Sequence, residues 1–253
     1  MAFPSNAVRI HQPQIPVDQS IYEFSTSAKA KLGTKLEVGE RVFFYAQASA
    51  SLGAGSVVCS LRPTASHQSG ILSIAAATIG AKTISATSSA NVAADYYAEG
   101  HFGAAAGAAV GHTIKVIGHN SGSAGLTVTL YDPLTVAITA GTVFWLAPNE
   151  YKNVWVGSKA LDTVVGVVPI DVTSGGYFWL QTRGIANPKH VGATPAGASL
   201  ALGTTGSVDV FSVTGTNAAT GFALVDYVTI IGKNSPLAAS AGEANPVFLN
   251  IRE

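Results

Sequence analysis

Charge is scarce in this chain: Asp, Glu, Lys and Arg make up 11% of its 253 residues and cancel to a net charge of zero. An average soluble domain is about 25% charged. There is no Lys/Arg run and no basic excess to replace phosphate counterions, which argues against nucleic acid as a partner. Cysteine is almost absent, so Cys59 cannot form an intrachain disulfide. It lies in Ser56-Val57-Val58-Cys59-Ser60-Leu61, which reads as a buried strand with an inert core thiol. No apolar run approaches the roughly 20 residues of a membrane-spanning helix. The longest candidate, residues 102–110, is mostly Ala and Gly and is followed by His112 and Lys115, so no membrane association is expected. Met1-Ala2-Phe3-Pro4-Ser5 lacks a basic region leading into an apolar stretch and does not read as a secretion signal.

What is present is Ala, Gly, Ser, Thr and Val, with 47% hydrophobic residues. That mixture suits strands and tight turns more than long solvated helices, and the hydrophobic content argues against disorder. Strand signals begin at Arg41-Val42-Phe43-Phe44-Tyr45-Ala46 and recur at 71–77, 113–117, 126–131, 142–147, 163–168, 177–182, 207–213, 223–231 and 246–251. Most are separated by Gly, Pro, Asn or Ser clusters, the spacing of an all-β sandwich or barrel. Alternation is clearest in Leu126-Thr127-Val128-Thr129-Leu130, where the apolar residues share one face. The run Gly103-Ala104-Ala105-Ala106-Gly107-Ala108-Ala109 reads as a loop, since glycine is a poor helix former.

Composition shifts at residues 63–70 and 148–153. The expected organisation is an inserted second β module, 71–148, within a main β domain made of 41–70 and 149–253. Residues 1–40, interrupted by Pro4, Pro13 and Pro16, read as an extended arm or edge-lying segment. True sequence repeats are not evident; Gly53-Ala54-Gly55-Ser56-Val57-Val58 only weakly echoes Ala196-Gly197-Ala198-Ser199-Leu200-Ala201.

Motifs that carry chemistry are missing. Gly197-Ala198-Ser199-Leu200-Ala201 lacks the closing glycine of a nucleophile elbow. Gly232-Lys233 is followed by Asn234 and preceded by Tyr227 where a phosphate loop needs glycine. Gly53-Ala54-Gly55 has Val58 where a dinucleotide fingerprint needs its third glycine. The histidines (His11, His67, His101, His112, His119 and His190) show no metal-ligand spacing. His112 and His119, an odd number apart, face opposite sides of a regular strand. Asp95 and Glu99 could form an acid/base or cation-binding pair, but a turn or sheet-edge role is the simpler reading. Asp132-Pro133 is a turn signal. No cofactor and no catalytic residue is expected. Aromatics cluster at Val143-Phe144-Trp145-Leu146, at Tyr151 with Trp155, and at Tyr177-Phe178-Trp179-Leu180. Such rows fill a sheet core or, when exposed, anchor an interface or stack on sugars.

Several of these segments together resemble a family of structural proteins from tailed phages. They are Leu32-Gly33-Thr34, Glu40-Arg41-Val42-Phe43-Phe44-Tyr45-Ala46, Ala93-Ala94-Asp95-Tyr96-Tyr97-Ala98-Glu99-Gly100, and Gly111-His112-Thr113-Ile114-Lys115-Val116. Further along come Thr129-Leu130-Tyr131-Asp132-Pro133-Leu134, Ala147-Pro148-Asn149 and Gly175-Gly176-Tyr177-Phe178-Trp179-Leu180-Gln181-Thr182 before Gly184. Glu40 stands where the family usually has glycine, and the His- and Ala-rich middle and Pro-containing N-terminus are this chain's own. The resemblance, over residues 32–206, implies a virion role without catalysis. The expectation is a capsid decoration, or cement, protein: made in the host cytoplasm, bound to the phage major capsid protein on the capsid exterior, and homo-oligomeric, with a trimer suited to a lattice axis. Pro4, Pro13, Pro16, Tyr177 and Trp179 are the candidate interface residues. The alternative is a carbohydrate-binding module associated with a tail or fibre.

Overall fold

The computed structural model describes residues 18–62, 67, 70–107, 109–157, 163–210, 230–234, 244 and 246–251. Apart from 3-10 conformation at Thr204–Gly206 and at His67, the regular elements among the described residues are strands, so the architecture is all-β. The chain divides into two units, Leu61–Lys152 and the flanking Met1–Ser60 with Asn153–Glu253. The flanking unit opens with β1 (Phe24–Ser25), β2 (Lys35–Val38), β3 (Arg41–Gln47) and β4 (Val57–Cys59). The enclosed unit holds β5 (Ile71–Ser73), β6 (Thr83–Thr87), β7 (His101–Ala104), β8 (Thr113–His119), β9 (Leu126–Leu130) and β10 (Val143–Ala147). The chain then returns through β11 (Trp155–Val156), β12 (Val164–Val167), β13 (Tyr177–Ala186), β14 (Ser199–Leu202), β15 (Val208–Val210), β16 (Ile230–Asn234) and β17 (Val247–Asn250).

The enclosed unit is a closed antiparallel barrel in the order β10-β5-β6-β9-β8-β7. Closure removes unpaired sheet edges, and a six-stranded barrel is narrow enough for side chains to fill. Leu126, Val128 and Leu130 point inward beside Ile71, Ile84, Phe102, Val116, Phe144 and Leu146, while Thr127 is exposed. The Phe102 and Phe144 rings meet at 5.0 Å. The Ala/Gly run is not wholly a loop: Gly103 and Ala104 belong to β7. Glycine is required there because a Cβ on Gly103 would lie 2.0 Å from the Trp145 ring on β10.

The flanking unit is an eleven-stranded sheet built around β13, which pairs with β1, β3, β12 and β17. One apolar cluster contains Leu36, Phe43, Tyr45 and Trp179; another contains Val57, Cys59, Leu200, Ile231 and Leu249. Residues 18–40, part of the segment read as an extended arm or edge-lying segment, lie against the sheet. Here β2 pairs with β3, and Gln19 is buried beneath the sheet. Its side-chain oxygen accepts from Tyr45 Oη (2.8 Å) and Ser25 Oγ (3.1 Å). Its Nε2 donates to the Tyr177 and Glu23 carbonyls (2.9 and 3.0 Å). A buried amide with every site satisfied tethers this segment to the core.

One backbone device occurs in both units. In the flanking unit, Leu52 and Val172 exchange reciprocal N–H···O=C bonds of 2.8 and 2.9 Å; in the barrel, Ala77 and Ile138 do the same, both at 2.8 Å. Three residues after each comes a glycine at φ between +76° and +89°: Gly55, Gly175, Gly80 and Gly141. Each glycine N–H then bonds a carbonyl four residues before the opposite bridge residue, at Val168, Ala48, Leu134 and Ser73 respectively. The positive φ at the third turn position is that of a type II turn. This repeat is invisible as sequence identity because only the bridge residue's apolar character and the glycine are constrained.

Two substitutions separate steric from conformational effects. Gly100→Ala puts a Cβ 2.1 Å from the Ala147 carbonyl, and is expected to lower stability by about 2–3 kcal/mol. Gly141→Ala has open space but keeps φ at +84°, and is expected to cost about 1–2 kcal/mol. Urea denaturation of the two variants measures both; a neutral Gly100→Ala would contradict the packing.

Candidate functional site

Of the expected interface residues, Pro4, Pro13 and Pro16 lie outside the described residues. Trp179 is not a surface anchor: it is fully buried, and its Nε1–H donates to the Gln19 carbonyl at 3.1 Å. Its ring meets Tyr45 edge-on at 5.0 Å, so the aromatic run is core. Tyr177 is half-buried and stacks on Tyr45 at 6.2 Å. Tyr151 is also buried, and half-buried Trp155 donates its Nε1–H to the Ser60 carbonyl.

Asp95 and Glu99 do not act as a pair. Both occupy positive-φ positions (57° and 62°) in the segment beside β8. Asp95 Oδ1 accepts the His119 N–H at 3.0 Å, whereas Glu99 binds Lys115 Nζ at 2.7 Å and accepts the Tyr131 hydroxyl. The histidines are also dispersed. His101 is exposed, His112 bonds Thr135 Oγ1, and His190 bonds Thr194 Oγ1. Among the described residues, no three of His, Cys, Asp and Glu gather as metal ligands.

His119 turns into the barrel, and spacing alone misplaces it. Val116 and Leu130 are register partners, as are Gly118 and Thr129, so β8 gains one residue at Ile117. This bulge puts Ile117 outside, 45% exposed, and brings His119 opposite inward-facing Val128. Gly118 permits it, because a Cβ there would lie 2.4 Å from Asp95 Oδ1. Inside, His119 Nε2 accepts the Tyr97 N–H at 3.0 Å and Nδ1 faces the Asn120 carbonyl at 2.7 Å. His67, fully buried, faces the Tyr97 hydroxyl through Nδ1 at 2.6 Å and the Ala90 carbonyl through Nε2 at 3.2 Å. Lys152 Nζ donates to the Asp95 and Tyr96 carbonyls, and burial pushes its ammonium below the usual lysine value against the opposing charge of Asp95.

The flanking unit presents a second feature. Ile185 on β13 and Phe248 on β17 are register partners on one face, 46% and 49% exposed. Lys233 lies opposite Phe248 on β16 and continues the row. Ile185 lines two open hollows. One, of about 510 Å³, also takes in Tyr22, Arg41, Pro169 and Lys189; the other, of about 470 Å³, takes in Glu37, Glu40, Arg183 and Phe248. Arg41 Nη1 donates to Tyr22 Oη at 3.0 Å, and Lys35 beside Glu37 holds that carboxyl below the usual glutamate value. Apolar residues rimmed by charges of both signs match the composition common at protein contact surfaces. In sequence, only the apolar residue on each face of Val247-Phe248-Leu249 hinted at it.

No family model, no curated protein and no solved structure matches this chain.

The burial pattern is checked by acrylamide quenching. Of the three tryptophans, Trp179 is shielded and Trp145 and Trp155 are half-buried. The quenching plot is expected to curve downward and to become linear in Trp179→Phe. A linear plot for the unmodified protein would restore the aromatic run as a surface platform.

Proposed function

We propose that this chain is a non-enzymatic structural protein of a tailed-phage particle, most specifically a decoration protein that binds the major capsid protein on the outside of the head. The observation that carries the reading is the exposed Ile185–Phe248 row, flanked by Arg183, Lys233, Glu37 and Glu40 on a sheet face. A mixed apolar and charged surface of this kind fits another protein better than a small substrate.

The phage-family resemblance supports the same class. Its segments coincide with structural devices: Gly175 closes a backbone clip, residues 177–182 build the central strand, and Gly100 fits beneath the Ala147 carbonyl. Such residues serve a scaffold. Low charge permits close packing of many copies, and a trimer on a lattice axis would present the row repeatedly. Binding the mature shell in preference to its precursor would then stabilise the mature shell by linkage. The carbohydrate-binding alternative is weaker because Trp179 is buried.

The test combines placement with surface chemistry. Immunogold labelling of intact particles is expected to decorate heads. Phe248→Asp and Ile185→Asp, still folded by circular dichroism, are expected to reduce head occupancy by about tenfold or more, the effect of losing an interface anchor. Label confined to tails, or variants that bind heads as well as the unmodified chain, would overturn the reading.

A further inference from the structure

We propose that the barrel unit carries an acid-sensitive latch, in which the neutral His119 imidazole holds the Asp95–Tyr97 turn against β8 and its protonation releases that turn. The inference rests on hydrogen-bond polarity and is independent of the proposed attachment to a capsid.

His119 faces two backbone groups whose roles cannot reverse. The Tyr97 N–H can only donate, so Nε2 must accept; the Asn120 carbonyl can only accept, so Nδ1 must carry the proton. One neutral tautomer satisfies both. A second proton on Nε2 would set N–H against N–H at a contact now 3.0 Å long, inside a barrel where His119 is 6% exposed. An unmade bond at a buried site is destabilising.

The latch is more than one bond. Asp95 N–H donates to the His119 carbonyl at 3.0 Å, and Asp95 Oδ1 accepts the His119 N–H at 3.0 Å, so residue 119 holds the turn through main chain and side chain. Tyr97 passes the constraint on: its ring lies 5.6 Å from His119 and 5.4 Å from His67, and its hydroxyl meets His67 Nδ1. The titratable or charged groups around His119 are Asp95, Lys152, His67 and Tyr97. The Asp95 carboxylate favours an imidazolium, whereas Lys152 and His67 oppose it. The Tyr97 main-chain donor opposes it as well, irrespective of solvent.

Burial is the largest influence, and it pushes the imidazole below its ordinary value of 6.5 despite the Asn120 carbonyl and Asp95. The opened turn therefore takes up a proton more readily than the closed one. The closed state has its full stability above the ordinary imidazole value and loses it as pH falls through the window down to the lowered value. Within that window, the closed-to-open ratio falls by up to about tenfold per pH unit for a single proton.

Hydrogen exchange on the full-length protein, corrected for intrinsic rates, reads this directly. Protection at the Tyr97 amide is expected to fall by up to about tenfold per pH unit from pH about 7 toward 5, while Val128 in β9 stays protected. His119→Gln, which keeps an acceptor toward Tyr97 and cannot titrate, is expected to flatten the pH response. Should that variant fail to fold, the imidazole ¹⁵N shifts of the unmodified protein decide: the latch requires a protonated Nδ1 and an unprotonated, hydrogen-bonded Nε2 at neutral pH. An Nε2–H tautomer, pH-independent protection at Tyr97, or loss of Tyr97 and Val128 protection in one step would overturn the proposal.

Discussion

Strands of three to five residues cannot hold a register by ladder bonds alone, and β4, β5 and β12 are that short. The constraint on which both units depend is the pairing of two turns through their backbones. Leu52 meets Val172 and Ala77 meets Ile138, and each following glycine reaches across to a carbonyl on the opposite side. Each joint needs four backbone bonds and two glycines at positive φ, a conformation that costs an L-residue about 1–2 kcal/mol. The bridge residues are buried, so water does not compete for those bonds. With the joints in place, register follows, and a one-residue slip would turn every inward side chain out.

The barrel adds a controlled irregularity. Asp95, at φ 57°, follows Val92 at the spacing that glycine occupies in the clips. Its carboxylate fills the space a side chain on Gly118 would need, and β8 bulges there. The bulge takes His119 from the outer to the inner face. An exposed turn residue, a bare glycine and a buried imidazole are thus one arrangement, in which changing one part disturbs the others.

Much of the fold was legible in the residues. The all-β class followed from short apolar runs between turn residues, and Leu126-Thr127-Val128-Thr129-Leu130 alternates in the barrel as its pattern predicts. Strands β6 and β7 escaped notice because Thr, Ser, Ala and Gly carry little hydrophobic signal, and their positions are set by Val128 and Trp145 across the sheet. How residues 18–40 are held was not legible, because one glutamine, Gln19, anchors a segment without a strong apolar pattern. The site was less legible. Trp179 belongs to the core, Phe248 and Ile185 were concealed within strand patterns, and His67 and His119 meet Tyr97 only through long-range folding and a bulge that spacing cannot reveal.

The proposed place in a larger assembly accords with a chain whose recognisable segments serve turns, strands and close backbone approaches. Its low charge and its row of Ile185 and Phe248 extend that logic to the surface. The most direct measurement is a cryo-electron microscopy reconstruction of mature heads from particles carrying this chain, compared with heads lacking it. Additional density is expected on the outer shell at repeated lattice positions, into which the barrel and the large sheet fit, with Phe248 toward the shell. Identical heads, with the chain's density found elsewhere or not at all, would contradict it.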